Sequence, residues 1–152
     1  MKILLAIDSS AFSEAAVDAV IGQFQPKGSE VRILHAVEWL KEMPLAFRFG
    51  EGAAAVREIV EHRDQSFRAA NGLVARAAER LQAVGFQTST ATPDDDPRHA
   101  ILECADQWQP DLIVMGSHGN RGLQRLLLGS VAENVMRHTG RSVQIVRMLK
   151  TG

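Results

Sequence analysis

The sequence predicts a doubly wound α/β fold, with a five-stranded, mainly parallel sheet and helices on both faces. Three observations carry that prediction. Short, unbroken apolar runs such as Ile3 to Ile7 and Leu112 to Met115 suit central parallel strands covered on both sides. These runs alternate with longer segments of helical periodicity, giving strand–helix–strand–helix order. Crossovers of such length join parallel neighbours and turn right-handed. At 152 residues the chain can bury a real core, and residues 1–152 read as one domain.

Taken in order, Ile3 to Ile7 forms the first strand, and Asp8-Ser9-Ser10 offers N-cap residues to a helix carrying Val17, Val20, Ile21 and Phe24 on one face. Pro26, Lys27 and Gly28 end that helix. Val31 to Val37 is the second strand. Glu38 to Ala55 contains Pro44, Gly50, Gly52, Trp39, Phe47 and Phe49 and reads as a loop with at most a short helical turn. Long loops of this kind are functional or disordered: this one is either a lid over a ligand or a mobile connection packing on a partner subunit.

Val56 to Val84 is a long helix whose apolar face includes Ile59, Val60, Phe67, Ala70, Val74, Ala77 and Leu81; Gly72 is its weak point and Gly85 closes it. Phe86 to Thr92 is a third, peripheral strand. Asp96 before Pro97 fits N-cap then first helical position, opening a helix that buries Ile101, Leu102, Ala105 and Trp108 and stops at Pro110. Leu112 to Met115, Ser130 to His138 and Val143 to Met148 are the fourth strand, last helix and fifth strand.

Composition narrows the function. The net charge of −1 directs the chain toward neither nucleic acid nor an anionic membrane. The single cysteine, Cys104, excludes an internal disulfide framework and suits a reducing, cytoplasmic setting. The run Ile3 to Ile7 is cut by Asp8, too short for a signal-peptide core, and no run reaches the length of a membrane span.

The most informative stretch is Met115 to Glu133. It leads from a buried strand to a helix start and contains four glycines, at 116, 119, 122 and 129. Glycine permits positive φ and close approach to backbone N–H groups. A glycine-rich loop ending at a helix N-terminus is suited to anions, because free N–H groups and the helix dipole point the same way. Ser130 followed by Glu133 matches a capping box. A tight structural loop with a capped helix explains the same residues without a ligand. Gly-Lys-Ser/Thr is missing, so this is no Walker A loop, and Gly116-x-x-Gly119 does not fit the dinucleotide fingerprint.

Gly116-x-x-Gly119, nine residues, then Gly129-Ser130 resembles the ATP-binding pattern of the universal stress protein family. Asp111 to Gly119, Leu127 to Glu133 and the start Lys2 to Ser10 are similar to that family too. The resemblance implies a strand order of 3-2-1-4-5, which sets Asp8 and Gly116 at the switch point where ligands bind such sheets. It implies that Asp8 and the backbone of Ala36 flank adenine, with Ala6 and Gly116 near the ribose. Phosphate is expected on the N–H groups of Gly119, Gly129, Ser130 and Val131, with the Ser130 hydroxyl as an added donor; Met115 and His118 complete the candidate contacts. Asp8 and Ser130 each have a purely capping alternative. Ala132 stands where some nucleotide-binding members carry Ser or Thr, which removes one hydroxyl from the terminal phosphate. His118, Arg121 and Arg125 could add charge, and His35 ends strand two.

The resemblance therefore implies an ATP-binding stress-response protein with little or no turnover, ATP being bound with or without Mg²⁺. The alternatives are a slow Mg-dependent ATPase using Asp8 or His118, and a nucleotide-free dimeric scaffold. The last strand, with Val143, Ile145 and Val146 among Gln144 and Arg147, is expected at a sheet edge, where apolar residues invite pairing; the resemblance implies a homodimer through residues 143–148. Other patterns carry less. His62-Arg63-Asp64 imitates a kinase loop inside a helical pattern, Asp94 to Asp96 is explained by a helix start, and Cys104 reads as a core-side helical residue.

Overall fold

The computed structural model describes residues 1–120 and 127–148. Its strands are Lys2–Ala6 (β1), Glu30–Leu34 (β2), Gln87–Ala91 (β3), Leu112–Gly116 (β4) and Ser142–Val146 (β5). They form one parallel sheet in the order β3-β2-β1-β4-β5, as predicted. The helices are Ala11–Gln23 (α1), Trp39–Glu42 (α2), Leu45–Arg48 (α3), Gly52–Ala83 (α4), Pro97–Trp108 (α5) and Ser130–His138 (α6).

β1 shows why its apolar run is unbroken. Leu5 aligns with Ile33 of β2 and Val114 of β4, and this layer packs on Val17 and Val20 of α1 and Val74 and Leu81 of α4. Leu4 and Ala6 point the other way, onto Ile101 and Ala105 of α5 and Ala132 and Val135 of α6. Both faces of the strand are dry, so alternation would bury polar atoms at a cost. Burying each of Ile3, Leu4 and Leu5 contributes about 2–3 kcal/mol.

β2 ends at Leu34 rather than Val37 and β5 at Val146 rather than Met148, both shorter than the sequence reading, and the segment before α4 differs most. Residues 38–55 hold two four-residue helices, not a plain loop, separated at Pro44, and α4 starts at Gly52 rather than Val56. The helix also runs through Gly72 without a break. Neither short helix has a side-chain cap. They are held by tertiary contacts instead: Met43 is buried, the Trp39 indole donates to Asp94 (3.1 Å), and His62 Nε2 donates to the Trp39 carbonyl (3.0 Å). Arg63, read as an interruption of the helical face, covers the rings of Trp39 and Phe67.

The other helix ends follow their local chemistry. Ser10, not Asp8, caps α1, accepting from Ser13 N–H. Asp96 caps α5 and Pro97 fills its first position, as expected. Gly28 and Gly85 take positive φ where the chain leaves α1 and α4.

Candidate nucleotide-binding crevice

The sheet order reverses direction between β1 and β4. The chain leaves β1 for α1 on one face, while α5 and α6, which flank β4 in sequence, cover the other. Such a split leaves a crevice beyond the carboxyl ends of the strands. Here it measures about 360 Å³. Ala6, Asp8 and Ala36 line one side, and Met115, Gly116, His118 and Gly119 the loop side. Gly129, Ser130 and Val131 line it at the start of α6, so all ten candidate residues meet there. Arg121, Arg125 and Gly122 lie outside the described residues.

Asp8 is the tie between the two distinctive loops. Its Oδ1 accepts from Ser10 N–H (2.9 Å) and the Ser13 hydroxyl (2.9 Å), and its Oδ2 accepts from Asn120 N–H (3.0 Å). The Ser13 hydroxyl in turn accepts from the Asp8 N–H (2.8 Å). Asn120 also reaches the Ser9 hydroxyl (2.6 Å). A carboxylate has about four acceptor positions, so Asp8 holds the glycine loop and keeps one position for a further donor.

Of the two properties that glycine offers this loop, close approach is used and positive φ is not. Gly116, Gly119 and Gly129 are not among the positive-φ residues. They are glycine because protein closes on them. A Cβ on Gly116 would stand 2.7 Å from Phe12 Cβ and 2.9 Å from its carbonyl; one on Gly119 would stand 2.6 Å from Asp8 Oδ2; one on Gly129, 3.0 Å from the Ser117 oxygen. Gly116→Ala must therefore push the start of α1 away from β4. The expected cost is about 2 kcal/mol, read as a lower urea midpoint with unchanged slope; an unchanged midpoint would show that α1 shifts freely.

The start of α6 also differs. Gly129 is the N-cap, Ser130 is the first helical residue, and there is no side-chain cap. The capping box is not formed: Glu133 N–H bonds the Gly129 carbonyl (2.9 Å), while the Glu133 carboxylate pairs with Arg137. The Gly129 N–H is spent on the Ser117 carbonyl (2.7 Å), so it leaves the expected phosphate set. Ser130, Val131 and Ala132 precede the first helical hydrogen bond, and all three line the crevice. Their N–H groups are the orphan donors of an open helix end. α5 begins at the same edge, but Asp96 and Pro97 seal it. α1 is likewise capped, by Ser10, and the uncapped four-residue α2 opens with the Glu38 carboxylate, so among the described residues the start of α6 is the one suited to an anion.

The opposite wall was not legible in the sequence. Glu38, Lys41 and Glu42 of the α2 segment face Asp96 and Arg98 at the start of α5. Lys41 pairs with Glu38 and with Asp96 (3.5 Å). Arg98 grips Asp96 with its side chain (3.0 and 2.7 Å) and its N–H (2.9 Å). The Arg98 guanidinium, with its N–H and Lys41, holds the Asp96 carboxyl far below the usual range. The pairing Asp96/Arg98 follows the cap motif and could have been found; Lys41 had no signal, being over fifty residues away in a segment without periodicity.

The two histidines are both engaged. His35 Nδ1 donates to the Ile7 carbonyl (2.8 Å), and His118 Nδ1 lies 3.0 Å from the Ser117 hydroxyl with its ring on Phe12. Asp95, His99 and Glu103 gather outside the crevice with ligand atoms within 4.8 Å of one another. Asp95 and His99 already satisfy each other, which raises the imidazole pKa. Cys104 packs partly against the α5–α6 core layer, and burial raises its thiol pKa. Among the described residues no helix is long and apolar enough to cross a membrane.

The sequence matches the universal stress protein family over residues 1–147. It is 32% identical to universal stress protein YxiE of Bacillus subtilis, covering 96% of this chain and 98% of that one. It is 29% identical to universal stress protein MJ0577 of Methanocaldococcus jannaschii, covering 96% and 94%. A solved structure of MJ0577 superposes with a TM-score of 0.84 at 27% identity, covering 99% of this chain and 97% of that chain. A universal stress protein solved in complex with cAMP superposes at 0.60 with 25% identity, covering 97% and 96%. With a sheet of the same order and a match along nearly its whole length, the chain belongs to the universal stress protein family.

Proposed function

We propose that this universal stress protein binds ATP in the crevice and acts as a regulatory stress-response protein with little or no turnover. The observation that carries the reading is the uncapped start of α6, whose Ser130, Val131 and Ala132 N–H groups open into a crevice also lined by Asp8 and Ala36. Phosphates fit the helix start, and the Ser130 hydroxyl adds a donor. Adenine fits between Asp8 and the Ala36 backbone, with the ribose near Ala6 and Gly116. That a family member at 25% identity is solved with cAMP supports an adenine nucleotide as the ligand class.

The residues fit binding better than hydrolysis. Phosphoryl transfer needs a placed nucleophile and a cation on the transferring group. Asp8 and Asp96 are committed to loop and guanidinium partners. Mg²⁺ arriving with ATP would be held chiefly by phosphate oxygens and water. We read residues 1–152 as one cytoplasmic domain that pairs with a second copy through the edge strand β5.

The test is to denature the purified protein, identify any released small molecule by mass spectrometry, then titrate ATP into the emptied protein with and without Mg²⁺. Released or tightly bound adenine nucleotide is the expected result. Metal-dependent hydrolysis would replace binding with slow turnover. No binding at millimolar ATP would leave the loop structural and make the nucleotide-free scaffold the better description.

A further inference from the structure

The N-terminal half of α4 is built unlike the rest of the molecule. The helix has 32 residues, about 48 Å at 1.5 Å per residue. Its buried residues begin only at Ala70. Of the eleven large apolar side chains exposed among the described residues, six lie between positions 40 and 60. Phe49 is 79% exposed, Leu45 66%, Val56 59%, Leu40 55% and Val60 51%. Scattered single apolar residues need no explanation; Val56 and Val60 are different in lying together on one groove of α4, while the other four belong to the α2–α3 segment.

The charges on this segment are arranged to fit themselves. A shallow groove is lined by Val56, Arg57, Val60, Glu61, Asp64 and Arg68. Their spacing, i, i+1, i+4, i+5, i+8 and i+12, puts them on one stripe of the helix. The opposite side meets α2 through His62 and Arg63. The stripe holds two cations and two carboxylates around two valines. Among the described residues Arg57, Asp64 and Arg68 have no ion-pair partner.

We propose that this stripe docks on the same stripe of a second copy of the chain, the two α4 helices running antiparallel about a two-fold axis near Val60 and Glu61. That register sets each Arg57 opposite the partner's Asp64, twice by symmetry, and closes Val56 and Val60 of both copies into the seam; it also brings the two Glu61 carboxylates together at the axis, a repulsion that the Arg57 guanidinium one turn away on each helix offsets. A displaced register centred two residues later would set Arg57 against the partner's Arg68, which like charges disfavour. The contact is isologous: alone it closes a dimer, and together with β5 pairing it joins one dimer to another, so the variants below are read as the loss of that step. It uses neither the crevice nor β5, so it stands whether or not nucleotide binds.

Sedimentation velocity across a micromolar concentration series tests it on the intact protein, with circular dichroism confirming equal helicity. Arg57→Asp and Asp64→Arg each turn both symmetric pairs into like-charge pairs and are expected to weaken self-association at least tenfold. The double variant restores opposite charge and should recover most of the loss. Wild type that stays monomeric, single variants that associate as wild type does, or a double variant no better than the singles would each overturn the proposal. Association that responds to β5 substitutions but not to these would assign the oligomer to the edge strand.

Discussion

Asp8→Ala is expected to destabilise the protein by about 3 kcal/mol and to weaken adenine-nucleotide binding at least tenfold. The carboxylate accepts from Ser10 N–H, the Ser13 hydroxyl and Asn120 N–H, joining the end of β1 to the glycine loop across more than a hundred residues. Hydrogen bonds to a charged group contribute about 1.5–3 kcal/mol each, but they share one carboxylate and are not additive. Ser10 and Asn120 N–H can recover water, which sets the estimate at the level of one to two such bonds. Binding falls because the loop that forms one wall of the crevice loses its tether and Asp8 itself lines the adenine side. Asp8→Asn separates the two effects. Its oxygen can still serve Ser10 and Ser13, while its amide meets the Asn120 N–H donor-to-donor, so the loop should be released with less loss of stability. Urea unfolding gives the first quantity and calorimetric titration of ATP the second. An Asp8→Ala protein of wild-type midpoint would mean that the loop is held without the carboxylate, by Asn120 to the Ser9 hydroxyl and Gly129 N–H to the Ser117 carbonyl.

The parts of this architecture legible in the sequence are those decided by local pattern. Ile3 to Ile7 and Leu112 to Met115 are unbroken because both faces of β1 and β4 are covered, a requirement that writes itself into consecutive residues. Asp96-Pro97 fixed a helix start by rules that need only two positions. The glycine spacing and the end of β1 pointed to one crevice because parallel topology brings those loops together. Position 129 against 130 was different. Both Gly and Ser are good N-caps, and Ser130-x-x-Glu133 looks the same in either register. What decides is the Gly129 N–H reaching the Ser117 carbonyl, a contact that no local rule contains. Glycine has the same ambiguity: sequence cannot tell a positive φ from the close approach of Phe12 or Asp8. The α2 and α3 helices are too short for periodicity, and the ties that hold α2, Trp39 to Asp94 and Lys41 to Asp96, span more than fifty residues.

Ser130→Asp should raise stability and weaken binding about a hundredfold, and the opposite signs are what make it diagnostic. The residue is the first of α6, exposed, at a helix start with no side-chain cap. A carboxylate there meets the orphan N–H groups of Ser130, Val131 and Ala132 and complements the helix dipole, for a gain of about 0.3–1 kcal/mol. The same carboxylate occupies the place proposed for phosphate. Two unit charges about 4 Å apart repel by about 4 kcal/mol at an effective dielectric near 20, and salt reduces this. Retaining roughly two-thirds of it gives an affinity loss of about a hundredfold. Ser130→Ala removes the hydroxyl but leaves the N–H groups open, so it should cost only a few-fold in affinity and little in stability. A purely structural helix start would give the stability gain in Ser130→Asp with no loss of ATP affinity. Phosphate held instead by groups elsewhere along the loop would leave both variants binding as wild type does. Only an anion seated on the open end of α6 predicts a midpoint that rises while ATP affinity falls.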